Sequence, residues 1–183
     1  MSVRPRVRFQ AEDIWQAPDD GRIYEVIDGE LYVAPSPGTA HQRVCGNLYG
    51  YLWQYLRAYL RGEVFTAPLG VVLDAENAVQ PDLVYVAHER AHIITERGIE
   101  GVPDLVVEVL SPSTEARDRG IKLRRYARAG VPHYWIVDPG QRTLEVYRLA
   151  EGGYMLVGRY GPGSFLRPEL FPGLELSLDA LWR

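Results

Sequence analysis

The 183-residue chain has a single cysteine, Cys45, so no disulfide can close within it and nothing points to an oxidising compartment. No apolar run approaches the length of a membrane span, and Met1 to Arg8 lacks the hydrophobic segment of a signal peptide. These absences predict a cytoplasmic protein with no membrane partner. Internal repeats, low-complexity stretches and Gly-rich phosphate loops are also missing. Lysine is almost absent: of 20 basic residues only Lys122 is not arginine. Arginine stays charged at any working pH, whereas a lysine amine has a pKa that its surroundings can move, which singles out Lys122.

The rest of the composition is that of a folded globular domain, with 46% hydrophobic and 24% charged residues. A chain of this length predicts one domain over residues 1–183, with an arm and short helix over 1–20 and a C-terminal hairpin and tail over 149–183. The formal net charge of -4 argues against a nucleic-acid partner, because phosphate binding is dominated by basic side chains. That charge is unevenly spread. From Thr114 to Ala129, Arg117, Arg119, Lys122, Arg124, Arg125 and Arg128 stand against only Glu115 and Asp118, and the N-terminus adds Arg4, Arg6 and Arg8. The pattern fits a basic strip on an otherwise acidic body; a solvated helix face with arginine in place of lysine fits it too.

Periodicity outlines the elements. A short helix is expected over Gln10 to Ala17, then a hairpin from Arg22 to Ala34 turning at Asp28-Gly29, in which Ile23, Glu25 and Ile27 share a face. Thr39 to Leu60 reads as the clearest helix, with Val44, Leu48, Leu52, Leu56 and Tyr59 on one stripe and Gly62 closing it. Strands are expected over Val64–Ala67, Gly70–Leu73, Val79–Val86, Leu105–Leu110, His133–Val137, Thr143–Arg148 and Tyr154–Tyr160. A helix is expected over Glu115–Ala129, and a short terminal helix capped by Ser177. The sum is an α/β fold: one mixed sheet with two main helices packed on it.

Leu105 to Leu110 carries the chemistry. It reads Leu-Val-Val-Glu-Val-Leu, apolar on both faces as a covered central strand should be, apart from Glu108. An unpaired buried carboxylate costs several kcal/mol, so Glu108 requires a cation, a metal or strong donors. Asp82 shares a strand face with Val84 and Val86 just after Pro81, and reads either as a strand-end carboxylate or as a second ligand. Two carboxylates on neighbouring strands suit a hard cation such as Mg²⁺. Lys122 stands one turn beyond Asp118 and reads either as a surface lysine paired with it or as the cation beside the reacting water. Asp104, four residues before Glu108 on the same strand face, lies about 13 Å from it at ~3.3 Å per residue, too far to share an ion.

Pro81-Asp82, Glu108 on a later strand and then a lysine resemble the PD-(D/E)XK nuclease superfamily. Tyr24 through Leu31, Pro35-Ser36-Pro37 with His41, Pro81-Asp82-Leu83, Gly101 through Thr114, Asp118 through Lys122 with Tyr126, and Gly130 through Pro139 are similar to the Uma-type restriction-endonuclease family. The resemblance runs from about residue 20 to 148. It implies a restriction-endonuclease-like fold, in α/β (α+β) terms a mixed sheet flanked by helices, and Mg²⁺-dependent hydrolysis of DNA phosphodiester bonds, with Mn²⁺ as a substitute ion. Carried over residue by residue, Asp82 and Glu108 are the paired acids, the Val109 carbonyl joins them on the metal, and Glu25 is either an additional acid near the metal or a buried structural carboxylate of the hairpin. One departure stands out: the lysine expected two residues after Glu108 is Leu110. Lys122, on the next helix, is the one lysine that can replace it.

Within this reading Arg117, Arg119, Arg124 and Arg125 hold nucleic-acid phosphates. His41 either touches the site or caps its helix, Cys45 belongs to the core, and the aromatic content suits a homodimer contact. The alternative, motivated by Leu110 and the acidic net charge, is a catalytically silent nucleic-acid-binding or oligomeric scaffold with the same fold.

Overall fold

The computed structural model describes residues 7–183. After a 3-10 helix at Ala11–Gln16, β1 (Ile23–Ile27) and β2 (Glu30–Ala34) form the expected hairpin, with Asp28 at φ 52 and Gly29 at φ 73 making its turn. Then come α1 (Thr39–Tyr59), β3 (Gly62–Thr66), β4 (Val71–Asp74), β5 (Asn77–Val79) and β6 (Leu83–Ala87). A 3-10 helix at His88–Ile93 leads to β7 (Ile99–Glu100) and β8 (Leu105–Val109). One continuous helical segment follows, made of α2 (Glu115–Arg117), a π-helical turn (Asp118–Lys122) and α3 (Leu123–Ala129). The chain ends with β9 (His133–Asp138), β10 (Thr143–Ala150), β11 (Gly153–Tyr160), β12 (Phe165–Leu166), β13 (Leu176–Ser177) and α4 (Leu178–Leu181).

The strands form two main sheets, not one. The larger runs β11-β10-β9-β8-β6-β3 and is antiparallel except for the parallel β8–β9 pair; the smaller runs β2-β1-β5-β4-β7. The expected Val79–Val86 strand is cut at Gln80-Pro81-Asp82, so β5 belongs to the smaller sheet and β6 to the larger. Pro81 has no N–H to give a ladder, and the chain changes sheets there.

The central strand is β8, flanked by β6 and β9 and buried along its whole length. Leu105, Val107 and Val109 pack in the cluster that contains α1 and the C-terminal tail; Val106 packs on the opposite side with Ile27, Val71, Val79 and Tyr126. Burial of each such aliphatic side chain stabilises by roughly 1.5–3 kcal/mol, enough for the strand to carry one costly carboxylate.

Two details of α1 differ from expectation. Tyr59 is exposed and Tyr55 occupies the buried stripe, and the helix ends one residue after Tyr59 at Leu60, whose φ of 51 makes it the left-handed cap. Gly62 instead opens β3 at φ 136, where a Cβ would stand 2.2 Å from the Val86 carbonyl oxygen; it serves close strand approach, not helix closure. Ser177 precedes α4 as expected but makes no side-chain capping bond. The tail locks onto α1 through Asn47, whose amide donates to the Ala180 and Leu181 carbonyls.

Candidate active site

Four elements converge between the sheets. From β8, Glu108 points into the space between the layers and is 3% exposed. From β1, Glu25 is fully buried and accepts the Gln80 amide at 3.0 Å, which ties it to the strand crossover. Asp82 lies on that crossover, immediately before β6, and its Oδ2 accepts the Val109 amide at 2.7 Å. The π turn brings Lys122 inward, 3% exposed.

Lys122 Nζ lies 2.7 Å from Glu25 Oε1, 2.9 Å from Glu108 Oε1 and 3.5 Å from Asp118 Oδ1. It makes no ion pair with Asp82 among the described residues. The surface-lysine reading is therefore excluded: the pairing with Asp118 exists, but deep inside the molecule. Wider than an α-helical turn, a π turn changes which residues face inward, and such turns are enriched at functional sites. Here Asp118 and Lys122 are both buried at its two ends.

Three further participants enter the site in roles that the sequence did not assign to them. The Tyr126 hydroxyl donates to Glu108 Oε1 at 2.7 Å. Asp118 joins as a fourth carboxylate. Arg117 Nη2 reaches to 3.5 Å from Glu25 Oε2 while its guanidinium lies over the Tyr32 ring. Patterning places a tyrosine or an acid on a helix face, but the π turn shifts which of them enters the site.

His41 reaches the site and does not cap α1. Gly38 is the cap residue, with no side-chain capping bond, and His41 Nε2 stands 3.2 Å from Asp82 Oδ2. Burial opposes charge on the imidazole, yet the Asp82 carboxylate and the Val109 backbone outweigh it and raise the pKa. Cys45 is core, as expected, with Sγ 3.5 Å from His41 Nδ1.

Charge decides what this space can hold. Glu25, Asp82, Glu108 and Asp118 face Lys122 and Arg117, an excess of acid in a region where unpaired charge is expensive. Burial, countered by Lys122 but reinforced by Asp118, Asp82 and Glu25, pushes the Glu108 pKa well above the usual carboxylate range. Burial opposes charge on Lys122, but Glu108, Glu25 and Asp118 prevail and raise its pKa, so the amine keeps its proton. Glu25 Oε2 and Asp118 Oδ1 accept no hydrogen bond and meet only Arg117 and Lys122, each at 3.5 Å. The Asp82 and Glu108 carboxylates beside one small cavity are the oxygen donors a divalent cation takes, and the residues present fit one. Both hydrogen bonds to Glu108 fall on Oε1, which leaves Oε2 as the oxygen available to an ion. A cavity of about 30 Å³ lies against Asp82, Glu108, Val109 and His41. That is room for an ion or a water or two. A larger cleft of about 340 Å³ shares Ile23, Pro37 and Asp82 with it and opens outward past Arg22 and Gln42.

The expected basic strip is largely engaged within the molecule. Arg117 pairs with Glu25, Arg119 with Glu145 at 2.8 Å, and Arg125 with Asp28 and Asp74. Arg124 and Arg128 are exposed, one turn apart, and have no ion pair among the described residues. Arg8 pairs with Glu76 at 2.9 Å, while Arg4 and Arg6 lie outside the described residues. Asp104 is remote from the cluster in its bonds, accepting the Ala87 amide at 2.8 Å and facing Arg90. Leu110 is buried in the apolar layer with Val106 and Tyr126, so the position after Val109 has no cationic role. No helix among the described residues is long and apolar enough to cross a membrane.

Comparison with known proteins agrees with this architecture. A solved structure from Anabaena variabilis, titled "a putative nuclease belonging to DUF820", superposes with a TM-score of 0.77 at 18% identity, over 95% of this chain and 97% of that one. This shows a shared fold, a mixed α+β arrangement flanked by helices. An uncharacterized protein of Synechocystis sp., slr1290, is 28% identical over 162 residues, 87% of this chain and 83% of its own length. The Uma2 family profile, described as "Putative restriction endonuclease", matches residues 11–179, nearly the whole chain, and the protein belongs to that family.

Proposed function

We propose that this protein is a divalent-metal-dependent endonuclease that hydrolyses DNA phosphodiester bonds, with Asp82, Glu108 and the Val109 carbonyl holding Mg²⁺ or Mn²⁺. The observation that carries the reading is the approach of Lys122 to within 2.9 Å of Glu108 from a separate helix, which supplies the lysine that Leu110 replaces on the strand. A bound ion would supply positive charge to the scissile phosphate and lower the pKa of the attacking water.

The chain's own groups have distinct tasks. Lys122, held between Glu25 and Glu108, is the cation beside the reacting water and offsets charge that develops on the phosphate. Glu25 fixes the Lys122 amine and, through Gln80, the crossover that carries Asp82. Tyr126 orients Glu108 by bonding one of its oxygens. DNA would enter by the outer cleft, and Arg124, exposed and without an ion pair among the described residues, is available on the helical segment to contact phosphate; phosphate contacts position a duplex without reading its sequence.

The test is cleavage of supercoiled, linear and branched DNA with Mg²⁺ or Mn²⁺, comparing the wild type with Asp82→Ala and Lys122→Ala. Loss of cleavage in both variants is expected, and equal activity in all three proteins would overturn the assignment. Leu110, buried where the strand lysine would stand, favours a second reading, a catalytically silent nucleic-acid-binding or oligomeric scaffold. DNA binding without metal-dependent cleavage in the wild type would select it.

A further inference from the structure

His41 is used by none of these steps, yet it lines the same small cavity as Asp82 and Glu108. It is 8% exposed, and it donates no capping bond that would explain a polar ring at the start of α1. Its Nε2 faces Asp82 Oδ2 at 3.2 Å. Two adjacent donors on a six-coordinate ion, each about 2.1 Å from it at right angles, are about 3.0 Å apart, so this separation is one that two ligands of one ion would have.

Cys45 does not belong to that set, although its sulfur falls within 4.8 Å of the other two ligand atoms. Sγ lies against Nδ1, the ring nitrogen that does not face Asp82. The thiol sits behind the ring, so Nε2 is the nitrogen turned to Asp82, and an ion would take the place of the hydrogen that Nε2 shares with that carboxylate. A neighbour on the second ring nitrogen commonly fixes a ligating histidine in this way.

We infer that His41 is a nitrogen ligand to the divalent ion shared by Asp82 and Glu108, and that it tilts the site from Mg²⁺ toward first-row transition ions. The inference rests on the metal-centre reading above and names the class of ion for it. Imidazole adds little for Mg²⁺, which favours oxygen donors, and adds progressively more along the series from Mn²⁺ to Co²⁺ and Ni²⁺.

Mn²⁺, Co²⁺ and Mg²⁺ binding to the full-length protein by calorimetry, with pulsed electron paramagnetic resonance of the Mn²⁺-loaded protein, tests this without any turnover. The wild type is expected to bind Co²⁺ and Mn²⁺ at least about tenfold more tightly than Mg²⁺ and to show nitrogen coupling from a bound imidazole. His41→Ala should lose the nitrogen coupling and about 10- to 100-fold in Co²⁺ affinity while Mg²⁺ affinity barely moves. His41→Gln, which keeps a polar group beside Asp82, controls for misfolding and should also lose the coupling. Mn²⁺-loaded wild type without nitrogen coupling overturns the inference. So does Mn²⁺ binding that Asp82→Asn abolishes and His41→Ala leaves intact, in which case the metal-centre reading stands. If the wild type binds none of the three ions, both fail together.

Discussion

Lys122 Nζ donates to Glu108 Oε1 at 2.9 Å, joining a central strand to the helix that follows it with both side chains almost wholly buried. Removing one partner of such a pair strands a charge in the interior, which typically costs about 3–5 kcal/mol. Lys122→Met should therefore be among the most destabilising single substitutions in the protein, since it leaves Glu25, Glu108 and Asp118 facing one another. The double variant Lys122→Met with Glu108→Gln should lose less than the sum of the two singles. Urea denaturation of the four proteins gives the coupling, and strict additivity would contradict it.

Tyr126 is buried, and its hydroxyl is a donor to the same Glu108 oxygen. Tyr126→Phe should cost about 1–3 kcal/mol, as for a hydrogen bond to a buried charged group, with the fold unchanged. A loss too small to measure would mean that the bond adds nothing to holding Glu108.

The β3–β6 contact depends on glycine. Gly62→Ala places a methyl group 2.2 Å from the Val86 carbonyl oxygen at a φ of 136, so thermal unfolding should shift downward by the equivalent of at least about 2 kcal/mol. Gly120→Ala, where a Cβ meets only the Arg124 guanidinium at 4.0 Å, is the matched control and should be nearly neutral.

Away from the site, Glu145 is held by Arg119 and Arg159 and by the Tyr147 hydroxyl. Burial alone would raise its pKa, but the Arg119 and Tyr147 hydrogen bonds outweigh it and bring it below the ordinary carboxylate value. A carboxylate depressed by folding stabilises above its unfolded pKa of about 4.3 and loses that contribution as the pH falls through the folded value. The stability gap between wild type and Glu145→Gln should thus be full at neutral pH and shrink in acid below about pH 4. A gap that stays constant with pH would contradict the assignment.

Elements whose signal is local were legible from sequence. The Asp28-Gly29 hairpin, the aliphatic stripe of α1 and the two-sided apolar run around Glu108 each follow from spacing alone. The misplaced carboxylates on β1 and β8 marked the site because burial makes an acid costly wherever it is put. What escaped depends on contacts between distant segments. Pro81 divides one apparent strand between two sheets, which no period-two pattern reports. The π turn at Asp118–Lys122 adds a residue to a helix whose sequence reads as ordinary, and so conceals Asp118 as a fourth acid. His41 reads from sequence as either a cap or a site residue because its partner Asp82 lies 41 positions away, and the basic strip reads as free because most of the acids that pair with it come from distant segments.

The central claim is that Asp82 and Glu108 form one ion site with Lys122 beside it. Crystals soaked in Mn²⁺ and measured at an energy sensitive to that metal test it most directly. The account predicts one strong anomalous peak within about 2.0–2.3 Å of oxygens from both Asp82 and Glu108, absent in Asp82→Asn crystals. No peak at millimolar Mn²⁺, or one that touches neither carboxylate, would contradict it.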